Sequence, residues 1–399
     1  MKHKVNWIKE YRRKYQLQKE GYLEKLHDFE EQIKDYKNYL EPGQYYLTST
    51  PRLMLYKDTQ ESRLFIKSLS KHIQFKQPRK KEGTFYYRVY RFFVTCVVRV
   101  IDHFITRELF IMVHNDTPDV FQGSFVMSLH GHPNRFKLFD FKAYQSLTVG
   151  QDFVDLMKLK EYHTLFADYF DSPIMNIDEE RQIILEEMVT TLPYSEWTYQ
   201  DADAVIKEIL TRYTHYVLSI KERYLKFISV KELTLKHPRL ASSTEHQSLL
   251  DTYLKPYLND KETLIPAHGD LYFFNILKSK VSGRNHVIDF EHARPLPFYY
   301  DGVWLILSAV YNSNDATYLN HFLEGYYDVY FDKLFKAVKQ TFVNEKKRKY
   351  LFISLYIVQF YLHHELIPEM TEDQFKNHLQ SRRDMFEQLE SFIKSSKTL

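Results

Sequence analysis

The sequence predicts an α+β chain. A helical N-terminal extension precedes a small antiparallel sheet with one inserted helix, and a mostly helical remainder carries a single polar hairpin. Three observations predict this. Apolar residues recur at steps of four and three within the first 40 residues. Short apolar runs alternate with turn residues between 121 and 190. Long helical periodicity resumes after Tyr199.

In the first element, Tyr22, Leu26, Phe29, Ile33, Tyr36 and Leu40 form one seam, which Pro42-Gly43 stops. Two readings of the seam stand: a helix docked on its own chain, preferred because the repeat is short, or a coiled coil joining a homodimer through residues 22–40. Residues 44–120 resist assignment. They include a basic, turn-rich loop at 77–83 and an apolar stretch at 92–113. That stretch is broken by Arg99, Asp102, His103, Arg107 and Glu108, so no transmembrane segment is expected. Peripheral membrane contact through Arg88, Arg91 and Arg99 is left open.

From 121 the pattern reads strand, turn, strand, strand, helix, strand, strand. Gly123 lies in a turn before a strand at 125–129, and a hairpin turn follows at 130–134. A further strand at 136–142 leads to a helix at 152–170, then to strands at 174–177 and 182–188. Helices are expected at 201–224, 304–310, 318–335, 349–364 and 371–395. The expected division is therefore an extension (1–120), a small lobe (121–190) and a helical large lobe (191–399) containing the hairpin 267–291.

Composition bounds the function. At 399 residues the chain can build two lobes. With 32 Tyr and 30 Phe it has ample apolar surface to bury, so it is read as folded rather than disordered. A net charge of +3 gives no argument for nucleic acid. The single cysteine, Cys96, sits among apolar residues and excludes a disulfide framework. The charged N-terminus has no apolar signal-peptide region, and a cytoplasmic location is expected. His363-His364 lack the spacing of a zinc helix, and His130 and His132 lie in a turn.

Chemistry concentrates between Ala267 and Asp301, which reads AHGDLYFFNIL, then VIDFEHA and YYD. Leu271, Tyr272, Phe273 and Phe274 can anchor a short loop while Asp270 and Asn275 face a cleft. Ile276 and Leu277 start a strand, Ser282-Gly283-Arg284-Asn285 turns it, and His286, Val287 and Ile288 return. Asp289 then arrives beside Asn275, because paired strands lie roughly 5 Å apart. If the chain stays extended, Asp289 and Glu291 point to one side. Asp270 can receive a proton, and Asn275, Asp289 and Glu291 are hard oxygen ligands of the kind Mg²⁺ prefers.

The motifs HGDLYFFN and VIDFEHA resemble those of the aminoglycoside phosphotransferase and choline kinase superfamily, a branch of the protein-kinase-like fold. The resemblance covers about a tenth of the chain. It implies a two-lobed fold and a small-molecule kinase using ATP or GTP with Mg²⁺. Asp270 would be the catalytic base, with His268 and Asn275 in the catalytic loop, and Asn275, Asp289 and Glu291 would associate with the metal. Asp301 would buttress the loop. Position in the fold nominates Lys137 for the nucleotide phosphates, with Lys142 in reserve, and Glu161 as its acid. Gly123 would cover phosphates, and Glu187 and Met188 would contribute to a base-binding hinge. The acceptor would be a small molecule such as an amino alcohol, sugar, aminoglycoside or envelope glycan precursor, bound by the C-terminal helices. The alternative is a kinase-fold scaffold of little activity.

Overall fold

The computed structural model describes residues 2–48, 54–73, 100–101, 104–115, 121–129, 132–220, 222–235, 238–313, 315–363 and 366–395. The expectations for Cys96, the 77–83 loop, His130, His364 and most of the 92–113 stretch lie outside them. The chain divides into two compact units. One comprises 1–74, 78–157 and 173–189; the other comprises 75–77, 158–172 and 190–399.

The first unit is built on an eight-stranded antiparallel sheet. In chain order its strands are β1 (Gly43–Leu47), β2 (Met54–Lys57), β3 (Phe110–Val113), β4 (Phe125–Leu129), β5 (His132–Asp140), β6 (Gln145–Val149), β7 (Met175–Asp178) and β8 (Ile183–Glu187). In space they run β3-β1-β2-β4-β5-β6-β8-β7. Helix α1 (Lys2–Gln32) covers one face. Its Leu26 and Phe29, with Ile33 just beyond, are buried against Phe136, Leu138, Leu147 and Val149. Phe29 meets Phe136 edge-on at 5.3 Å between ring centroids. The opposite face buries Met54, Phe125, Met127 and Phe139 beneath Phe65 of α2 (Gln60–Ile73). Alternation along β5 explains the two sides: Phe136 and Leu138 go one way, Lys137 and Phe139 the other.

One agreement with the sequence reading and two differences follow. The seam of the first helix is buried in its own unit, as docking requires, so those residues are taken up within the chain. The boundary expected at 120 does not coincide with the division by contacts, because β1, β2 and β3 belong to the same sheet as β4 to β8. β1 pairs with β3 across more than 60 residues, a partner that local pattern cannot supply. Finally, β6 fills the stretch left unassigned between 142 and 152.

The second unit is mostly helical. It receives the end of α3 (Phe153–Phe170), then α4 (Tyr199–Ser219), α5 (Val230–Thr234), α6 (Pro238–Ala241), α7 (Thr244–Tyr253), α8 (Tyr300–Ser313), α9 (Thr317–Glu324), α10 (Asp328–Ala337), α11 (Lys347–Tyr356) and α12 (Glu372–Ser395). Helix α4 opens with a capping box in which Thr198 and Asp201 satisfy each other's backbone N–H groups. Two small sheets carry the polar hairpin. One orders β10 (Lys226–Ser229), β11 (Lys261–Ala267) and β14 (Arg294–Pro297); the other orders β13 (Asn285–Val287), β12 (Ile276–Ser279) and β9 (Thr191–Leu192). Among the described residues no helix is long and apolar enough to cross a membrane.

Candidate active site

Strand β11 is buried along Glu262–Ala267 and delivers the chain to His268, which is 1% exposed. There the backbone must turn sharply. Gly269 adopts φ +83°, and a Cβ at this residue would lie 2.3 Å from the carbonyl oxygen of His292. Only glycine tolerates both the left-handed conformation and the close approach.

The loop is then fixed from beneath. Asp301, on the first turn of α8, is fully buried, and its carboxylate accepts the N–H of His268 at 2.7 Å and of Gly269 at 3.0 Å. Tyr213 of α4 donates its hydroxyl to the same carboxylate. Burial raises the Asp301 pKa, and the surrounding donors oppose that rise. The buttress expected of Asp301 is therefore present. Tyr213 was not legible in the sequence, because its role depends on where α4 packs.

Both ring nitrogens of His268 are committed. Nδ1 accepts the Asp270 N–H at 3.3 Å, which leaves Nε2 to donate to the Ile288 carbonyl at 2.8 Å. This histidine joins the loop to the strand end before Asp289.

Asn275 closes the loop. Its Nδ2 donates to the Asp270 carbonyl at 2.9 Å and more weakly to Asp270 Oδ2 at 3.4 Å. Ile276 pairs with Val287, and the Ile288 N–H reaches the Asn275 carbonyl at 3.0 Å, so the returning strand ends against Asn275 as the hairpin predicts. Asp289 then takes φ 70°, ψ 62°, a left-handed conformation uncommon outside glycine and held here by the pairing on its N-terminal side. Burial, then repulsion from Asp289 and Asp301, pushes the Asp270 carboxyl up to about 8.

Glu291 does not follow the expected geometry. The left-handed turn at Asp289 leads into a 3-10 turn, Phe290–His292, so the alternation of an extended strand is lost. Among the described residues, no group of three or more His, Cys, Asp or Glu side chains is placed to hold a metal ion. Asp289 and the Asn275 amide oxygen remain as a two-donor oxygen set beside the Asp270 carboxylate. Such a set fits Mg²⁺, which keeps several waters and takes one or two carboxylates along with substrate phosphates.

The first unit holds the residues nominated for a nucleotide apart from Glu161. Lys137 projects from β5, opposite Thr148 of β6, and donates to Glu186 of β8. The acid bonded to Lys137 in its own sheet is thus Glu186. The nominated Glu161 is exposed on α3, within the second unit. The reserve, Lys142, lies in the turn after β5, 81% exposed, and pairs with Glu41 at 2.7 Å. Gly123 is a packing residue: its N–H donates to Tyr39 O at 2.8 Å and its carbonyl accepts from Glu41 N and the Tyr45 hydroxyl. With that N–H engaged, Gly123 has no backbone donor for a phosphate. Glu187 is exposed at the end of β8. The Met188 N–H donates to Tyr144 O at 2.8 Å, and its side chain joins the apolar cluster around Phe125 and Phe139.

A buried loop with a raised carboxyl, flanked by an amide and a second carboxylate, can accept a proton from a nucleophile next to a bound cation. Residues 211–334, less than half of the chain, match the model of the phosphotransferase enzyme family. That segment spans the HGDLYFFN and VIDFEHA motifs and Asp301.

Among solved structures, the chain is similar to a choline kinase from Streptococcus pneumoniae, at 16% identity and TM-score 0.40, over 65% of this chain and 92% of that one. It is also similar to a choline/ethanolamine kinase family protein from Mesorhizobium loti, at 11% identity and TM-score 0.41, over 66% and 86%. A third likeness is to the GDP complex of an aminoglycoside 2′-phosphotransferase, at 12% identity and TM-score 0.46, over 67% and 93%. No curated protein matches the sequence.

Proposed function

We propose that the chain transfers the γ-phosphoryl group of a nucleoside triphosphate to a hydroxyl of a small molecule. The observation that carries this reading is the placement of Asp270, Asn275 and Asp289 on one hairpin, held by Asp301 and His268. In the transfer the acceptor oxygen bonds to the γ-phosphorus, the bond to the β,γ-bridging oxygen breaks, and the nucleoside diphosphate leaves. The acceptor proton passes to Asp270. Asp289 and Asn275 Oδ1 would hold Mg²⁺, which when bound offsets charge on the transferring phosphates. Lys137, paired with Glu186, is the cation nominated for the phosphates. The side chains present do not select ATP over GTP. Amino alcohols, sugars and aminoglycoside-like molecules are the acceptor classes this reading admits.

The test is nucleotide consumption with and without Mg²⁺ across an acceptor panel, with the Asp270→Asn protein in parallel. A positioned general base typically contributes roughly 10²–10⁴ in rate. The variant should lose turnover by about that factor while still binding nucleotide. Equal turnover in both proteins would remove Asp270 from its role.

A further inference from the structure

Helix α1 begins well before its packed seam. It is 31 residues long, and Tyr15 is the first of its described side chains to pack against the core of the first unit. Residues 2–14 precede that contact, about 20 Å of helix at 1.5 Å per residue. Their sequence, KHKVNWIKEYRRK, sets six Lys or Arg against one Glu. The stretch therefore carries +5 in a chain whose net charge is +3, which leaves the remainder at −2. A helix with so local an excess of cations is an electrostatic feature in its own right.

The charge is arranged, not merely present. Lys9, Arg12, Arg13, Gln16, Leu17 and Glu20 line one hollow on the helix surface, turned away from the side that carries Tyr15, Tyr22 and Leu26. Glu20 is the single acid of that hollow. Lys9, Arg12 and Arg13 are exposed, and none of the three pairs with an acid among the described residues. One turn further on the pattern changes: Lys19 is answered by Glu108 at 2.9 Å. Apolar side chains stand among the cations. Leu17 is 56% exposed and Leu23 46%. In the sequence the apolar seam itself continues upstream of Tyr22 at Tyr15, Tyr11 and Ile8, with Trp7 beside it.

We propose that the first half of α1 docks on an anionic lipid bilayer surface. An interfacial helix needs cations for the head groups and aromatic or aliphatic side chains for the boundary beneath them, and this stretch supplies both. Charge decides against a second copy of the chain, which would set +5 against +5. Nucleic acid would answer the cations but give exposed Leu17 nothing to contact. Among the described residues no helix can cross a membrane, so the contact is peripheral. The proposal is independent of the phosphotransferase reading.

The experiment is co-sedimentation of the full chain with vesicles of phosphatidylcholine alone and of phosphatidylcholine mixed with phosphatidylserine, at low and high salt. The chain should sediment with the mixed vesicles only, and release as salt screens the cations. A triple variant, Lys9→Gln with Arg12→Gln and Arg13→Gln, should weaken binding at least about tenfold. Leu17→Ser should weaken it several-fold with the charge unchanged. A control, Lys226→Gln with Lys231→Gln and Lys261→Gln, removes the same charge from exposed positions of the second unit and should bind as the parent does. All these side chains are exposed, so the variants should keep the parent's circular dichroism. No preference for the mixed vesicles, or equal losses in the two triple variants, would overturn the site. Unchanged binding in Leu17→Ser, or displacement of the vesicles by duplex DNA, would overturn the lipid partner and assign the helix to nucleic acid.

Discussion

Burial and the carboxylates of Asp289 and Asp301 hold the Asp270 carboxyl at about 8, against an ordinary value of 3.8. A carboxyl with a raised folded-state pKa stabilises the fold fully below its ordinary value, and loses that contribution as pH rises through the folded value. In metal-free protein, Asp270→Asn should therefore gain stability relative to the parent between pH 4 and pH 9, as well as losing turnover. Thermal unfolding in chelator at several pH values checks this; parallel stability curves would show that Asp270 is not held protonated. Asp301 acts differently, because its carboxylate satisfies two backbone N–H groups and a tyrosine hydroxyl. Each group left unpartnered costs roughly 1–3 kcal/mol. Asp301→Ala should accordingly cost several times as much as a typical surface substitution in chemical denaturation, and a loss under about 1 kcal/mol would deny the buttress.

The hairpin was legible because its meaning is local. Apolar residues 271–274, the turn at Gly283 and the pairing of Ile276 with Val287 follow from short-range pattern, and together they bring Asp289 to Asn275. Glu291 was misplaced because one left-handed residue, Asp289, ends the alternation on which its position depended. Lys137 was nominated on strand position, but its partner Glu186 depends on β5, β6 and β8 being neighbours, which sequence order does not reveal. Gly269 gives a test at this scale. Gly269→Ala places a methyl 2.3 Å from the His292 carbonyl oxygen at φ +83°. The loop should shift, lowering kcat far more than the roughly 1 kcal/mol expected of an ordinary glycine replacement. Unimpaired turnover would show that the loop accommodates it.

At the scale of the whole chain, the α+β division into a sheet-rich unit and a helical unit was readable from the order of apolar patterns. Its boundary was not, because β3 pairs with β1 across more than 60 residues and so joins the sheet through no local strand partner. The first helix is an integral layer of its unit, with Phe29 fully buried against Phe136. Phe29→Ala should cost about 3–5 kcal/mol. The unfolding midpoint should shift equally at all protein concentrations; a concentration-dependent shift would instead mark the seam as a contact between subunits.

The central claim is that the hairpin performs phosphoryl transfer with Asp270 as base. The most direct measurement is acceptor-stimulated, Mg²⁺-dependent nucleotide consumption by the parent chain and by Asp270→Asn, on a panel of amino alcohols, sugars and aminoglycosides. The account predicts acceptor-stimulated turnover in the parent and a loss of roughly 10²–10⁴ in the variant with nucleotide binding retained. Equal turnover in the two proteins, or no binding of nucleotide by either, would contradict it.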